Sequence, residues 1–172
     1  MNNVYLSLGS NLGDRINYLQ KSVEAIDNQI GKVVEVSSYF ETEPWGFITN
    51  TFFINQVICV KTQLMPVQLL EKIFAIERHL GRLRDHNNQM YTNRCIDIDI
   101  LLYDEKIIGL DNLTIPHKFL HERRFVLEPL NQIASSTIHP LFNMSINDLL
   151  LRCEDKTMVK KYVSESLIVQ DI

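Results

Sequence analysis

The sequence has 172 residues, 45% of them hydrophobic and 22% charged, with a formal net charge of −4; this suits a soluble globular protein with one domain over 1–172 and a sizeable core. The acidic balance excludes a general nucleic-acid binder, though not a local basic site. Three distant cysteines (Cys59, Cys95, Cys153) lack metal-ligand spacing, and no stretch is long and apolar enough to span a bilayer, so a cytoplasmic protein with reduced thiols is expected.

Val4 to Leu8 alternates as a short strand, with Val4, Leu6 and Leu8 on one side. A turn through Gly9 and Gly13 leads into a helix marked by Ile16, Leu19, Val23, Ile26 and Ile30. The turn lacks the spacing and the Gly-Lys-Ser/Thr ending of phosphate loops, so it is a strand-to-helix turn with Asn or Asp capping. Gly31 ends the helix, and Lys32 to Glu41 is expected to form a second strand. Residues 42–50 form a loop carrying Trp45, the only tryptophan, and Phe47. Such side chains on a Pro/Gly loop either anchor it to the core or cover a flat ligand. Thr51 to Thr62 is a third strand. Asn55 inside it must satisfy its amide, with backbone or with a ligand.

Pro66 opens a second helix, whose buried stripe runs from Leu69 to Leu80 and which Gly81 closes. Glu77 sits on or beside that stripe, where a carboxylate needs a reason; a salt bridge to Arg78 or Arg82 is one. Residues 82–94 form a long polar loop with three arginines against one aspartate. Long loops of this kind in compact domains are often functional. The loop runs directly into a strand at 94–103. There Ile96, Ile98, Ile100 and Leu102 share one face, while Asp97, Asp99, Leu101 and Tyr103 take the other. Two carboxylates about 6.6 Å apart along a strand can address one cation or a close pair. For an isolated Asp-x-Asp a solvated strand face is the preferred reading, because the tripeptide is common. The basic loop beside it changes the balance, because carboxylates hold Mg²⁺ and arginines hold phosphate oxygens.

Beyond the aspartates, Ile107-Ile108 is a short returning strand and the chain before Pro116 is extended. A helix or turn begins at Glu122, and residues 143–150 form a short helix. The tail from Glu154 has moderate strand character and no chemical signal. The order strand, helix, strand, strand, helix, strand predicts an α+β, ferredoxin-like βαββαβ core with C-terminal additions. Its antiparallel sheet would carry two helices on one face and the aspartates on the open one.

These blocks together resemble the 6-hydroxymethyl-7,8-dihydropterin pyrophosphokinase family. The resemblance rests on Tyr5-Leu6-Ser7-Leu8-Gly9-Ser10-Asn11-Leu12-Gly13, Glu41-Thr42-Glu43-Pro44, Phe53-Ile54-Asn55, Ile76-Glu77-Arg78 with Gly81-Arg82, the Arg94 to Leu101 run, Ile115-Pro116-His117, and Arg123 to Leu130. It implies transfer of pyrophosphate from ATP to the pterin hydroxymethyl oxygen, with release of AMP. Asp97 and Asp99 would hold two Mg²⁺ ions, and Arg82 and Arg94 would neutralise the transferring phosphates. Glu77, Arg84, Ile100, Thr114, His117 and Arg123 would serve ATP. Thr42, Glu43, Trp45, Phe53 and Asn55 would contact the pterin, with Tyr91 and Phe125 on its faces. The partners implied are these two small molecules, with no nucleic acid or membrane and a monomeric protein. The chain departs from the family's usual pattern with Thr92-Asn93 ahead of Arg94 and Lys118 after His117. Two other classes use parts of this pattern: a Mg-dependent glycosyltransferase, which would need a parallel nucleotide-binding array, and an RNA-binding module, which would need a basic, aromatic sheet face.

Overall fold

The alternation at the N-terminus is realised as β1 (Asn2–Ser10). Val4, Leu6 and Leu8 are fully buried on one face of it, each such side chain contributing about 1.5–3 kcal/mol of burial. The computed structural model describes residues 1–46, 49–82 and 93–163. α1 (Arg15–Gln29) starts at Asp14, whose carboxylate accepts the Asn17 N–H at 3.1 Å, the expected Asx cap. β2 (Gly31–Val36), β3 (Phe40–Thr42) and β4 (Phe53–Thr62) follow. α2 (Pro66–His79) comes next, and Gly81 closes it at a φ of 95°, in the left-handed region that glycine enters without steric cost. β5 (Asp97–Tyr103) carries the carboxylates. Then come β6 (Ile108–Leu110), β7 (Leu113–Ile115), α3 (Arg124–Ala134), β8 (Ile138–His139), β9 (Met144–Ser145), α4 (Ile146–Arg152) and β10 (Val159–Lys161).

The main sheet runs β10-β3-β4-β1-β5, with β2 also against β4. All its pairings are antiparallel. This is the α+β, ferredoxin-like arrangement with C-terminal additions. α1 and α2 cover one face through Leu19, Ile26, Leu69, Ile73 and Ile76, which pack on Val4, Leu6, Ile54, Ile58, Ile98 and Ile100.

Four expectations need correction. The strand expected over 32–41 is two strands. The chain turns away at Ser37, where the hydroxyl accepts the Val57 N–H at 3.0 Å and the Ser37 N–H reaches the Val57 carbonyl at 2.9 Å. The opposite sheet face is open only near the aspartates. Elsewhere α3 and α4 cover it with a second core that includes Val57, Leu101, Leu127, Leu130, Ile146 and Leu149. α3 begins after Arg123 and runs to Ala134 through Pro129, further than the Glu128-Pro129 pair suggested. The helix expected over 143–150 starts at Ile146, after the two residues of β9.

The face assignment of β5 also changes midway. Leu6 faces Ile100 but Tyr5 faces Leu102, so Leu101 is an extra residue in the ladder. A bulge inverts the alternation after it. Leu102 therefore joins Leu101 in the second core. Tyr103 turns under α2, where its hydroxyl donates to the Leu64 carbonyl at 2.7 Å. Asp97 and Asp99 precede the bulge and keep their predicted face. The three cysteines are free thiols. Among the described residues no helix is long and apolar enough to cross a membrane.

Candidate active site

Asp97 and Asp99 stand opposite Gly9 and Ser7 of β1. Small residues there leave space above the carboxylates. Arg82, just past Gly81, bonds Asp97 Oδ1 and also reaches Glu77 Oε1 at 2.5 Å. Arg94 Nη1 meets Asp97 Oδ2 at 2.6 Å. Glu77 is 1% exposed, and its Oε1 also accepts the Ile98 N–H at 2.8 Å. It therefore clamps the start of β5 and orients Arg82 from behind. The Glu77 salt bridge is to Arg82, the second of the two partners sequence reasoning offered.

The electrostatics follow from this crowding. Withdrawal from bulk water and the neighbouring Asp97 carboxylate push the Asp99 carboxyl up to about 7, with Arg123 opposing them. Burial works against the Arg82 charge, but Asp97 and Glu77 outweigh it and hold the guanidinium above its ordinary value. Burial, aided by Arg123, brings His117 down to about 4, so its ring is neutral at pH 7. Its Nδ1 accepts the Phe119 N–H at 3.2 Å, which assigns the remaining proton to Nε2. That nitrogen lies 3.9 Å from Asp99 Oδ2.

Two clefts meet at these residues. One, of about 500 Å³, is lined by Thr42, Glu43, Trp45, Phe53, Asn55 and Phe125 together with Arg94, Asp97, Asp99 and Arg123. Every described residue expected at the pterin lines it. Asn55 Nδ2 donates to Thr42 Oγ1 at 2.7 Å, so the strand asparagine is satisfied by another residue of the same cleft. The second, of about 770 Å³, lies beyond β5. Leu70, Phe74, Ile98, Asp99, Ile100, Thr114, His117 and Lys118 are among its lining residues. A third opening joins the two, bounded by Arg82, Arg94, Asp97, Asp99, His117, Lys118, Phe119 and Arg123. Arg84 and Tyr91 lie outside the described residues.

Sequence reasoning missed several contributors. The Asn11 side chain accepts the Arg94 N–H at 2.7 Å and donates to Asn93 Oδ1 at 2.7 Å and Thr51 Oγ1 at 3.0 Å. It thereby fixes the backbone that carries Arg94. Asn11 looks like any cap in a Gly-rich turn; only the closeness of β1 and β5 reveals its task. Leu70 belonged to an amphipathic stripe and gave no separate signal. Among the described residues no three His, Cys, Asp or Glu side chains are grouped to hold a metal ion.

Fold and site together define an α+β protein with a carboxylate pair, flanked by arginines, between two clefts. The family model for 7,8-dihydro-6-hydroxymethylpterin-pyrophosphokinase matches residues 5–135, and the chain belongs to that family. It is 38% identical over 148 residues to the Aquifex aeolicus 2-amino-4-hydroxy-6-hydroxymethyldihydropteridine pyrophosphokinase, covering 86% of this chain and 90% of that protein. A Porphyromonas gingivalis protein of the same name is 41% identical over 138 residues, covering 80% and 93% respectively. The fold is also similar to a crystal structure of wild-type Plasmodium falciparum HPPK-DHPS with pterin and p-hydroxybenzoate. There the TM-score is 0.70 at 18% identity, over 88% of this chain and 41% of that one.

Proposed function

We propose that this chain transfers pyrophosphate from ATP to the hydroxymethyl group of 6-hydroxymethyl-7,8-dihydropterin, releasing AMP, in folate biosynthesis, as a cytoplasmic monomer dependent on Mg²⁺. Membership of the pyrophosphokinase family supports the reaction. The observation that carries the assignment of sites is that Asp99 lines both large clefts and the opening between them. A pterin in the first cleft and a nucleotide in the second would thus present their reacting ends to one carboxylate pair.

The first cleft suits a flat polar heterocycle. Phe125, Trp45 and Phe53 offer aromatic surface, while Thr42 and Asn55 offer edge hydrogen bonds. Tyr91 completes this set in our reading, as Arg84 does on the nucleotide side. Ile100 and Thr114 would line the nucleotide's path, with Glu77 supporting it through Arg82.

Asp97 and Asp99 would hold two Mg²⁺ ions, a reading supported by both carboxylates lining the opening between the clefts. Mg²⁺ usually binds through one or two carboxylates with substrate phosphates supplying more ligands, so a pair suffices. When bound, the ions would draw charge from the phosphate oxygens. The protein's own work is positioning. Arg82 and Arg94, both now on Asp97, would neutralise the transferring group. Neutral His117 would donate its Nε2 proton, and Arg123 would add a cation from below. Transfers of this kind need little covalent help from protein. Incubating the protein with Mg-ATP and the hydroxymethyl-dihydropterin should yield AMP only when both substrates are present. Absence of AMP would overturn the reading.

A further inference from the structure

The opening that joins the two clefts has one aromatic side chain on its rim with two cations on its ring. Lys118 Nζ lies 4.6 Å from the centroid of the Phe119 ring, and the Arg123 guanidinium carbon lies 5.0 Å from it. Arg123 also lies against the Trp45 ring, with its guanidinium carbon 4.5 Å from that centroid. The Trp45 and Phe119 rings are 5.8 Å apart. Phe119 is itself held, because its N–H donates to His117 Nδ1. It is half-buried, while Lys118 is exposed and Arg123 is only 5% exposed.

A ring held in this way does two things. Its negative face draws both cations to it. Arg and Lys side chains carry much rotamer entropy, so a fixed platform lowers what a ligand must spend on ordering them. Both cations line the opening that also contains Asp97 and Asp99. Lys118 alone of the two also lines the cleft of Leu70, Phe74 and Thr114. A cation spanning those two spaces suits a polyphosphate running from one to the other.

We infer that Phe119 is a positioning residue, the aromatic platform that sets Lys118 and Arg123 for the phosphates of the nucleotide, and that Lys118 contacts those phosphates. The inference rests on ATP being the ligand of the second cleft. Phe119 and Lys118 have no role in that reading.

The test compares Phe119→Leu, Phe119→Tyr, Lys118→Gln and the double variant Lys118→Gln/Phe119→Leu with the unaltered protein. The probes are Mg²⁺ with α,β-methylene-ATP, which carries the triphosphate but cannot release AMP, and adenosine alone. Calorimetry gives both affinities. Leucine preserves apolar volume and removes the ring face, whereas tyrosine keeps the face. Phe119→Leu should weaken the triphosphate roughly three- to thirtyfold and leave adenosine unchanged. Phe119→Tyr should stay within about twofold of the unaltered protein. Lys118→Gln should weaken the triphosphate less in the Phe119→Leu background than on its own, because the two share one interaction. A leucine variant that binds the triphosphate normally, or loses adenosine equally, overturns the platform, as does a tyrosine variant as weak as leucine. Independent effects in the double variant also overturn it. If the unaltered protein binds neither probe, the ATP reading fails and the platform fails with it.

Discussion

At the residue scale, the site is a competition for Asp97. Two guanidinium groups, Arg82 and Arg94, now share its two oxygens. A cation bound there would have to compete with both, and in the proposed reaction the freed arginines would lie beside the phosphates. Asp97→Ala should abolish AMP formation while the circular-dichroism spectrum stays native, because Arg82 keeps Glu77 as partner. Near-normal turnover with Mg²⁺ would remove Asp97 from the metal site. Arg94→Ala should lower kcat by roughly 10²–10³-fold, the scale of removing one charge-stabilising donor, and change pterin affinity much less. Equal losses in kcat and in pterin binding would deny it a role specific to the transition state. Much of this site was legible from residue types, since carboxylates beside a basic loop have few structural uses. The partners that fix it were less so. Asn11 and Glu77 act through backbone N–H groups of Arg94 and Ile98, contacts across 83 and 21 positions of sequence that no local pattern encodes.

At the element scale, the aspartate strand shows why period-two reasoning works up to an irregularity and fails past it. Ile98 and Ile100 lie where alternation puts them, but the extra residue at Leu101 sends Leu102 and Tyr103 to opposite faces from those expected. Nothing in Ile-Leu-Leu-Tyr marks a bulge; it exists because β1 and the α3 layer both require side chains there. The same antiparallel register brings Gly9 opposite Asn55. A Cβ on Gly9 would stand 2.7 Å from Asn55 Oδ1, well inside contact distance. Gly9→Ala should therefore displace the Asn55 amide from Thr42. Such overpacking costs about 1–3 kcal/mol of stability. Pterin KM should rise severalfold, by the loss of one or two hydrogen bonds of about 1 kcal/mol each, with ATP KM little changed. Steady-state kinetics with each substrate varied in turn distinguishes this from a general loss of folded protein, which would lower kcat alone.

At the scale of the whole molecule, the clefts open where the second core stops. α3 and α4 cover the sheet over Val57 and Leu101 but leave Asp97 and Asp99 uncovered. The strand–helix order made the first core legible. The second was hidden because its helices follow a loop-like stretch and contain Pro129, which reads as a helix breaker. Beside that core lies His139, 1% exposed, brought down to about 4 by burial and by the nearby His121. Its folded value is depressed below 6.5, so unfolding takes up a proton between about pH 6.5 and 4 and stability falls as pH drops through that window. The loss at the lower end is of order 2–3 kcal/mol. Urea titrations should show a shallower decline over this range for His139→Gln; parallel curves would exclude His139 as the cause. The tail without a chemical signal has a structural task on the other flank. β10 pairs with β3 from Val159 opposite Thr42 to Lys161 opposite Phe40, and the Tyr162 N–H reaches the Tyr39 carbonyl at 2.8 Å. It therefore braces the short strand that presents Thr42 to Asn55, at the opposite end of the sheet from β5. Ending the chain at Met158 removes a few backbone hydrogen bonds and the partly buried Tyr162 ring. That is about 2–4 kcal/mol, or a Tm lower by roughly 5–15 °C. Below that Tm, pterin KM should rise more than ATP KM, because β3 loses its outer neighbour while β5 keeps β1. An equal rise in both would mean that the tail supports the sheet as a whole and not the pterin cleft.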